Sequence, residues 1–235
     1  MPSRKNRESE REVRTWTPLS PSYIFAADRF AKKSAELERQ YADQGGAIVM
    51  FGTDVFEEHR GYVIGAIFSS VAFVEATINE LFANAADSEV PAAIAQVSGP
   101  ARSLLAELWQ QGVDQQNTLL KYQTALISLG KAPFDSDRQP YQNVFLLIHL
   151  RNKLMHYKTE WSVAGLHPIE RRLRGRFTEN PFVPVDASNT FYPDRCLSHG
   201  CAKWSVKSSL AFVEKFHSRA GTTPNYNGHK PFETE

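Results

Sequence analysis

Three polar residues interrupt an apolar run near the middle of the chain. In LIHLRNKLMHYK, residues 147–158, Arg151, Asn152 and His156 stand among leucines, an isoleucine and a methionine. A core helix has little use for a guanidinium and an imidazole, whereas a site that handles phosphate uses both. Histidine exchanges protons near neutral pH. Arginine grips phosphate oxygens and offsets charge that develops on them. An asparagine beside them can orient the phosphate or hold the imidazole. At roughly 100° per residue, Val144, Leu147, Ile148, Leu154 and Met155 form one stripe, and Arg151 falls inside it. Asn152 and His156 are four residues apart and share a face, with His149 close to it.

A second polar intrusion lies upstream. In the long apolar segment from Asp54 to Ala86, Glu75 sits between Phe68, Val71, Ile78 and Phe82. A buried carboxylate must be paired or protonated, because desolvation of the bare charge is costly. Arg151 is the matching charge on another core-facing stripe, so the two helices are expected to pack with Glu75 near Arg151 or Asn152. Asn79 and Lys153 are further candidates for the lining of the same site.

The Arg-Asn-x-x-x-His pattern on a helix, here RNKLMH, together with an acidic residue on the inner face of a long upstream helix, resembles the HEPN superfamily. The resemblance covers about a third of the chain. It implies a small α-helical bundle and, for many members, a metal-independent endoribonuclease. The 2′-hydroxyl of RNA would attack the adjacent phosphorus, leaving a 2′,3′-cyclic phosphate and a 5′-hydroxyl. His156 would be the acid–base group and Arg151 the phosphate ligand. Asn152 would orient them, and Glu75 would fix Arg151. The reaction needs both a base and an acid, so the resemblance also implies a homodimer with a composite active site in which two motif helices face each other. DNA lacks the attacking hydroxyl and would be spared. A toxin–antitoxin or antiviral defence role, with a neutralising antitoxin or an activator protein as partner, follows from the same resemblance. One departure is visible: some toxin members carry a tyrosine two places after the histidine, where this chain has Lys158 preceded by Tyr157. The alternative is a non-catalytic helical interaction or dimerisation module.

Other features bound the reading. The segment ERRLRGR places Arg171, Arg172, Arg174 and Arg176 soon after the motif helix, suited to guiding an RNA backbone, with Phe177 available for stacking. The chain has 235 residues, 27 basic against 26 acidic, for a net charge of +1. That balance argues against coating nucleic acid by bulk charge and leaves room for a local basic site. CLSHGC offers Cys196, His199 and Cys201, with His217 as a distant fourth donor. The spacing is not that of a common zinc pair, so ordinary reduced thiols are expected, with no metal and no cofactor. No apolar run is expected to reach the roughly 18 residues of a membrane span, and the charged N-terminus is not a secretory leader, so a cytoplasmic location is expected.

The elements that would position these residues follow from hydrophobic periodicity. Helices are expected over Ile24–Gln44, Asp54–Ala86, from Pro100, over Leu119–Leu129, over Pro140–Lys158 and over Ala202–Ser218. Residues 161–197 read as irregular. The sum is an all-α, HEPN-like helical bundle with irregular loop insertions: a disordered segment 1–20, a helical domain 21–220 and a flexible tail 221–235.

Overall fold

The computed structural model describes residues 15–43, 52–158, 168–185 and 190–226. Gly45, Gly46, His167 and the outer parts of both expected loose ends lie outside the described residues. Among the described residues the architecture is helical, without a strand. In chain order it contains α1 (Ser20–Asp43), α2 (Asp54–Ala86), α3 (Gly99–Gln110), α4 (Thr118–Ser128), α5 (Tyr141–Met155), the single turn α6 (Glu170–Leu173) and α7 (His199–Ala220). Two 3₁₀ turns flank α3, and a kinked turn, Phe191–Arg195, precedes α7.

α2 is the axis of the bundle and packs against α1, α3, α4, α5 and α7. Its buried side chains occur on several faces and include Val63, Ile67, Phe73, Val74, Ile78 and Phe82. A helix covered on several sides needs apolar residues on several sides. This is why, against the expectation that no apolar run reaches the length of a membrane span, α2 has an 18-residue window of mean hydropathy 1.6 and is long and apolar enough to cross a membrane, although half of that window is buried inside the fold. Thr53 caps the helix by accepting from the Phe56 amide. α4 ends at Ser128, one residue before the expected end, and after the Leu129 cap Gly130 takes φ of 67°, a left-handed conformation that glycine adopts without steric cost.

The largest aromatic cluster joins α4 to α7. The ring of Tyr122 meets Phe212 and Phe216 edge-on, each at 4.7 Å between centroids, and its hydroxyl donates to the Val74 carbonyl on α2. A buried phenol needs such a partner.

The ends of the described chain are held more firmly than the sequence suggests. The Leu19 and Ser20 amides, both at the start of α1, donate to Glu80 Oε1 at 2.9 Å. The Ser20 hydroxyl and the Asn225 side-chain amide donate to the other Glu80 oxygen. A carboxylate is favourable at a helix N-terminus, where free amides and the helix dipole point at it. From Gly221 to Tyr226 the chain stays on the fold. Thr223 donates to the Ala93 carbonyl, and the Tyr226 ring packs against Phe73. Residues 222–226 are therefore docked where a loose tail is expected, because Tyr226 finds an apolar seat on α2.

His217, buried near the end of α7, makes its hydrogen bond with the Thr222 hydroxyl, and burial lowers its pKa to about 4. The unfolded chain binds this proton near pH 6.5, so between pH 6.5 and 4 the unfolded state takes up more protons than the fold. Stability is then full above pH 6.5 and falls as the pH drops toward 4. Urea titrations of wild type and His217→Gln across this range should show the wild type losing up to about 3 kcal/mol more than the variant.

Candidate functional site

α5 carries the motif and has two distinct sides. Val144, Leu146, Leu147, Ile148 and Leu150 are buried against α2 and α7. On the opposite side, Phe145, His149, Asn152 and His156 follow one another at intervals of four, three and four residues. They fall within an arc of about 60°. Phe145 is 41% exposed, Asn152 and His156 are exposed, and the His149 ring stacks along Phe145. This is an accessible ridge of imidazole, amide and aromatic groups on a helix whose back is anchored in the core.

The helix ends at the motif itself. Its last residue is Met155, three before the expected end at Lys158. His156 takes φ −107° and ψ 38°, outside helical values, while its amide still donates to the Asn152 carbonyl. The imidazole thus stands at the helix terminus. Lys153, Tyr157 and Lys158 are exposed beside it. Arg151 lies on the other side, as its position in the apolar stripe requires. Its Nε is buried without a hydrogen-bond partner among the described residues, and Nη1 approaches the Met155 sulfur at 4.0 Å. Arg151 makes no hydrogen bond to His156.

The expected partnership of Glu75 with Arg151 or Asn152 is corrected. α2 and α5 do pack together, yet Glu75 turns to α4, where one oxygen pairs with the Lys121 ammonium and the other accepts from the Thr118 hydroxyl. Lys121 Nζ also donates to Asn79 Oδ1 at 2.8 Å and to the Asp114 carbonyl. Asn79 therefore belongs to this network and does not line the motif. The physical reason is the Lys121 side chain, which has no exposure against 34% for Glu75. A fully buried ammonium takes the nearest carboxylate before a partly buried guanidinium can. The sequence does carry a signal for this, since Lys121 shares a helical face with Thr118, Tyr122 and Ala125.

The basic segment divides. Arg174 is used internally: it pairs with buried Glu170 at 3.1 Å and lies over the Phe191 ring. Arg172 and Arg176 reach α5 instead. The Arg172 guanidinium sits over Phe145, 5.1 Å from the ring centroid, and Arg176 Nη1 donates to Asn143 Oδ1 at 2.8 Å. Arg171 is exposed. Arg172 therefore adds positive charge to the Phe145 end of the ridge.

The cysteines and the histidine of CLSHGC, and His217, are drawn into the fold. Both thiols are fully buried, and desolvation pushes both well above the ordinary thiol range. His199 Nδ1 meets the Ala31 carbonyl, and the His199 amide donates to Glu38. His217 is engaged by Thr222. No protein-family model matches the chain, and comparison with curated proteins and with solved structures gives no match.

The buried pair gives a stability test that separates Glu75 from the motif. Removing one partner of a buried ion pair strands the other, whereas replacing a buried cation by an apolar group of similar volume is often neutral. Glu75→Ala should lower unfolding free energy by about 2–4 kcal/mol, less than a fully buried pair because the carboxylate is a third exposed. Lys121→Met should stay within about 1 kcal/mol of wild type, and Glu75→Ala added to Lys121→Met should cost little more. Equal losses in both single variants, read from urea unfolding, would contradict this assignment.

Proposed function

We propose that this chain is a HEPN-like, metal-independent endoribonuclease that works as a homodimer. The observation that carries the reading is the exposure of Asn152 and His156 at the open end of a core-anchored helix, with Arg151 one residue away and the Arg172-capped aromatic ridge behind them. Rigid support with an open reactive end is what a transferable proton and a phosphate ligand require.

The residue chemistry then runs as follows. One His156 imidazole takes the proton from a 2′-hydroxyl as its oxygen attacks the neighbouring phosphorus. The bond to the 5′-oxygen breaks, and a protonated imidazole supplies that oxygen with its proton. The products are a 2′,3′-cyclic phosphate and a 5′-hydroxyl. Arg151 neutralises charge on the equatorial oxygens, and Asn152 orients the phosphate. One motif supplies one histidine, so two copies face each other across a two-fold axis and share the cleft. Exposed Met155 and Tyr157, at 50% and 49%, flank the motif and offer apolar surface for the second copy. Lys153 and Arg171 extend the positive surface on which the strand lies. Glu75 has no part in the reaction and acts on the stability of α4.

The HEPN resemblance sets the biological frame of this reading: a cytoplasmic toxin–antitoxin or antiviral enzyme restrained by an antitoxin or released by an activator. A second reading is favoured by one observation. The Arg151 guanidinium leans on Met155 and makes no bond to His156, an arrangement that suits a non-catalytic dimerisation module as well.

The two readings part on one experiment. Purified protein should cleave mixed single-stranded RNA in EDTA and leave cyclic phosphate ends. His156→Ala should lose at least about 100-fold in rate while its melting curve stays close to wild type, because an exposed side chain contributes little to stability. Cleavage by the variant at the wild-type rate would remove the motif from the mechanism. A dissociated or destabilised dimer with no cleavage by either protein would favour the module.

A further inference from the structure

Charge is unevenly spread along this chain. Residues 141–158 and 168–178, which hold α5 and the segment that reaches it, contain seven arginines and lysines and one acidic residue, Glu170. Glu170 is buried and pairs with Arg174. The rest of the sequence has 20 basic and 25 acidic residues, so the motif region is positive in a chain that is otherwise negative. A polyanion is drawn to such a region and repelled elsewhere.

An exposed aromatic ring stands in this region. Val144 and Leu146 are buried, yet Phe145 between them is 41% exposed. The Arg172 guanidinium lies over its ring at 5.1 Å, and the His149 ring runs beside it with the two planes 28° apart. Arg172 is itself exposed. Its main chain donates to the Ile169 carbonyl and accepts from Arg176, and among the described residues no carboxylate pairs with its side chain. The guanidinium is therefore placed by the ring and not by an ion pair. Both planes are surfaces on which a nucleobase stacks, and the guanidinium edge offers N–H groups to the adjoining phosphate.

The ring lies on the motif's side of α5. Asn152 is about 10 Å from Phe145 along the helix axis and about 20° from it around that axis, with His149 in the interval. A strand with one base on Phe145 can follow this ridge to His156. Stacking needs a base face that is open. A duplex covers both faces of its internal bases, whereas an unpaired strand can splay them out onto aromatic side chains.

We infer that Phe145 and Arg172 form a nucleobase subsite that selects unpaired RNA, with a base stacked on Phe145 and the neighbouring phosphate on Arg172. The fate of the strand at His156 rests on the ribonuclease reading; the affinity of the subsite for an unpaired base does not.

The test uses the full chain and a fluorescein-labelled 2′-O-methyl RNA octamer, whose 2′-oxygens cannot attack, so binding is read without turnover. Phe145→Leu keeps an apolar side chain and removes the stacking plane. It should weaken binding about tenfold in anisotropy titrations and leave the salt slope unchanged, because no charge is lost. Arg172→Gln, at an exposed position, should weaken binding and flatten the salt slope by about 0.7. The octamer annealed to its complement should bind wild type and Phe145→Leu with equal affinity. Four results would overturn the inference: a wild type that does not bind the octamer, wild-type affinity in both variants, equal loss of duplex and single-strand binding in Phe145→Leu, or displacement of the octamer by a nucleoside monophosphate, which would make the occupant a free nucleotide. A Phe145→Leu protein that sediments as a smaller species than wild type would also overturn it and make the ridge a contact between copies. If binding depends on Phe145 and no RNA is cleaved, the ribonuclease reading fails and the subsite stands. If RNA is cleaved and both variants bind like wild type, the subsite fails and the ribonuclease reading stands.

Discussion

A single ammonium with no access to water constrains the arrangement of this bundle. Lys121 on α4 must be neutralised where it lies, and Glu75 on the central helix meets that need, with Asn79, Thr118 and the Asp114 carbonyl completing the polar cluster. The pair fixes the rotation of α4 on α2, which in turn sets Tyr122 against Phe212 and Phe216 of α7. α5 is then held between α2 and α7. The orientation of the motif helix is therefore a downstream consequence of a charge pair that never touches the motif.

This separation of duties suits a reactive surface. Burial, ion pairing and aromatic packing are concentrated on α2, α4 and α7, while the outer side of α5 carries groups that contribute little to stability. Phe145, Asn152 and His156 can serve a ligand because Leu147, Ile148 and Leu150 already hold the helix. The kinked turn before α7 and Arg174 with Glu170 organise the segment that lays Arg172 and Arg176 along α5.

Much of this organisation is legible in the residues. The helix from Asp54 to Ala86 follows from unbroken apolar periodicity, and the asymmetry of α5 follows from the spacing of its leucines. The partner of Glu75 does not follow, because periodicity identifies which residues face inward and not which inward faces meet. Lys121 passes for a solvated lysine, although it sits at helical spacing from Tyr122 and Ala125. A groove between the start of α5, residues 176–178 and the first half of α7 is less legible still. Phe177 and Arg176 stand out in the sequence, but Lys203, Trp204 and Asn143 come from other helices, and their convergence depends on the close approach that Gly200 permits. The early stop of α5 is hidden because His156 and Tyr157 are compatible with a helix.

The Glu80 carboxylate has a topological consequence. It binds Leu19 and Ser20 through one oxygen, and the Ser20 hydroxyl and Asn225 through the other, so positions more than two hundred apart in sequence meet at one point. The described chain is thereby nearly a closed ring. A short bridge between these positions would conserve the fold, and the chain could be opened elsewhere, in the exposed loop between α4 and α5, without disturbing a helix. In such a rearranged chain the motif helix would lie near the new beginning, which shows how little the order of the helices along the polypeptide matters to the surface they build.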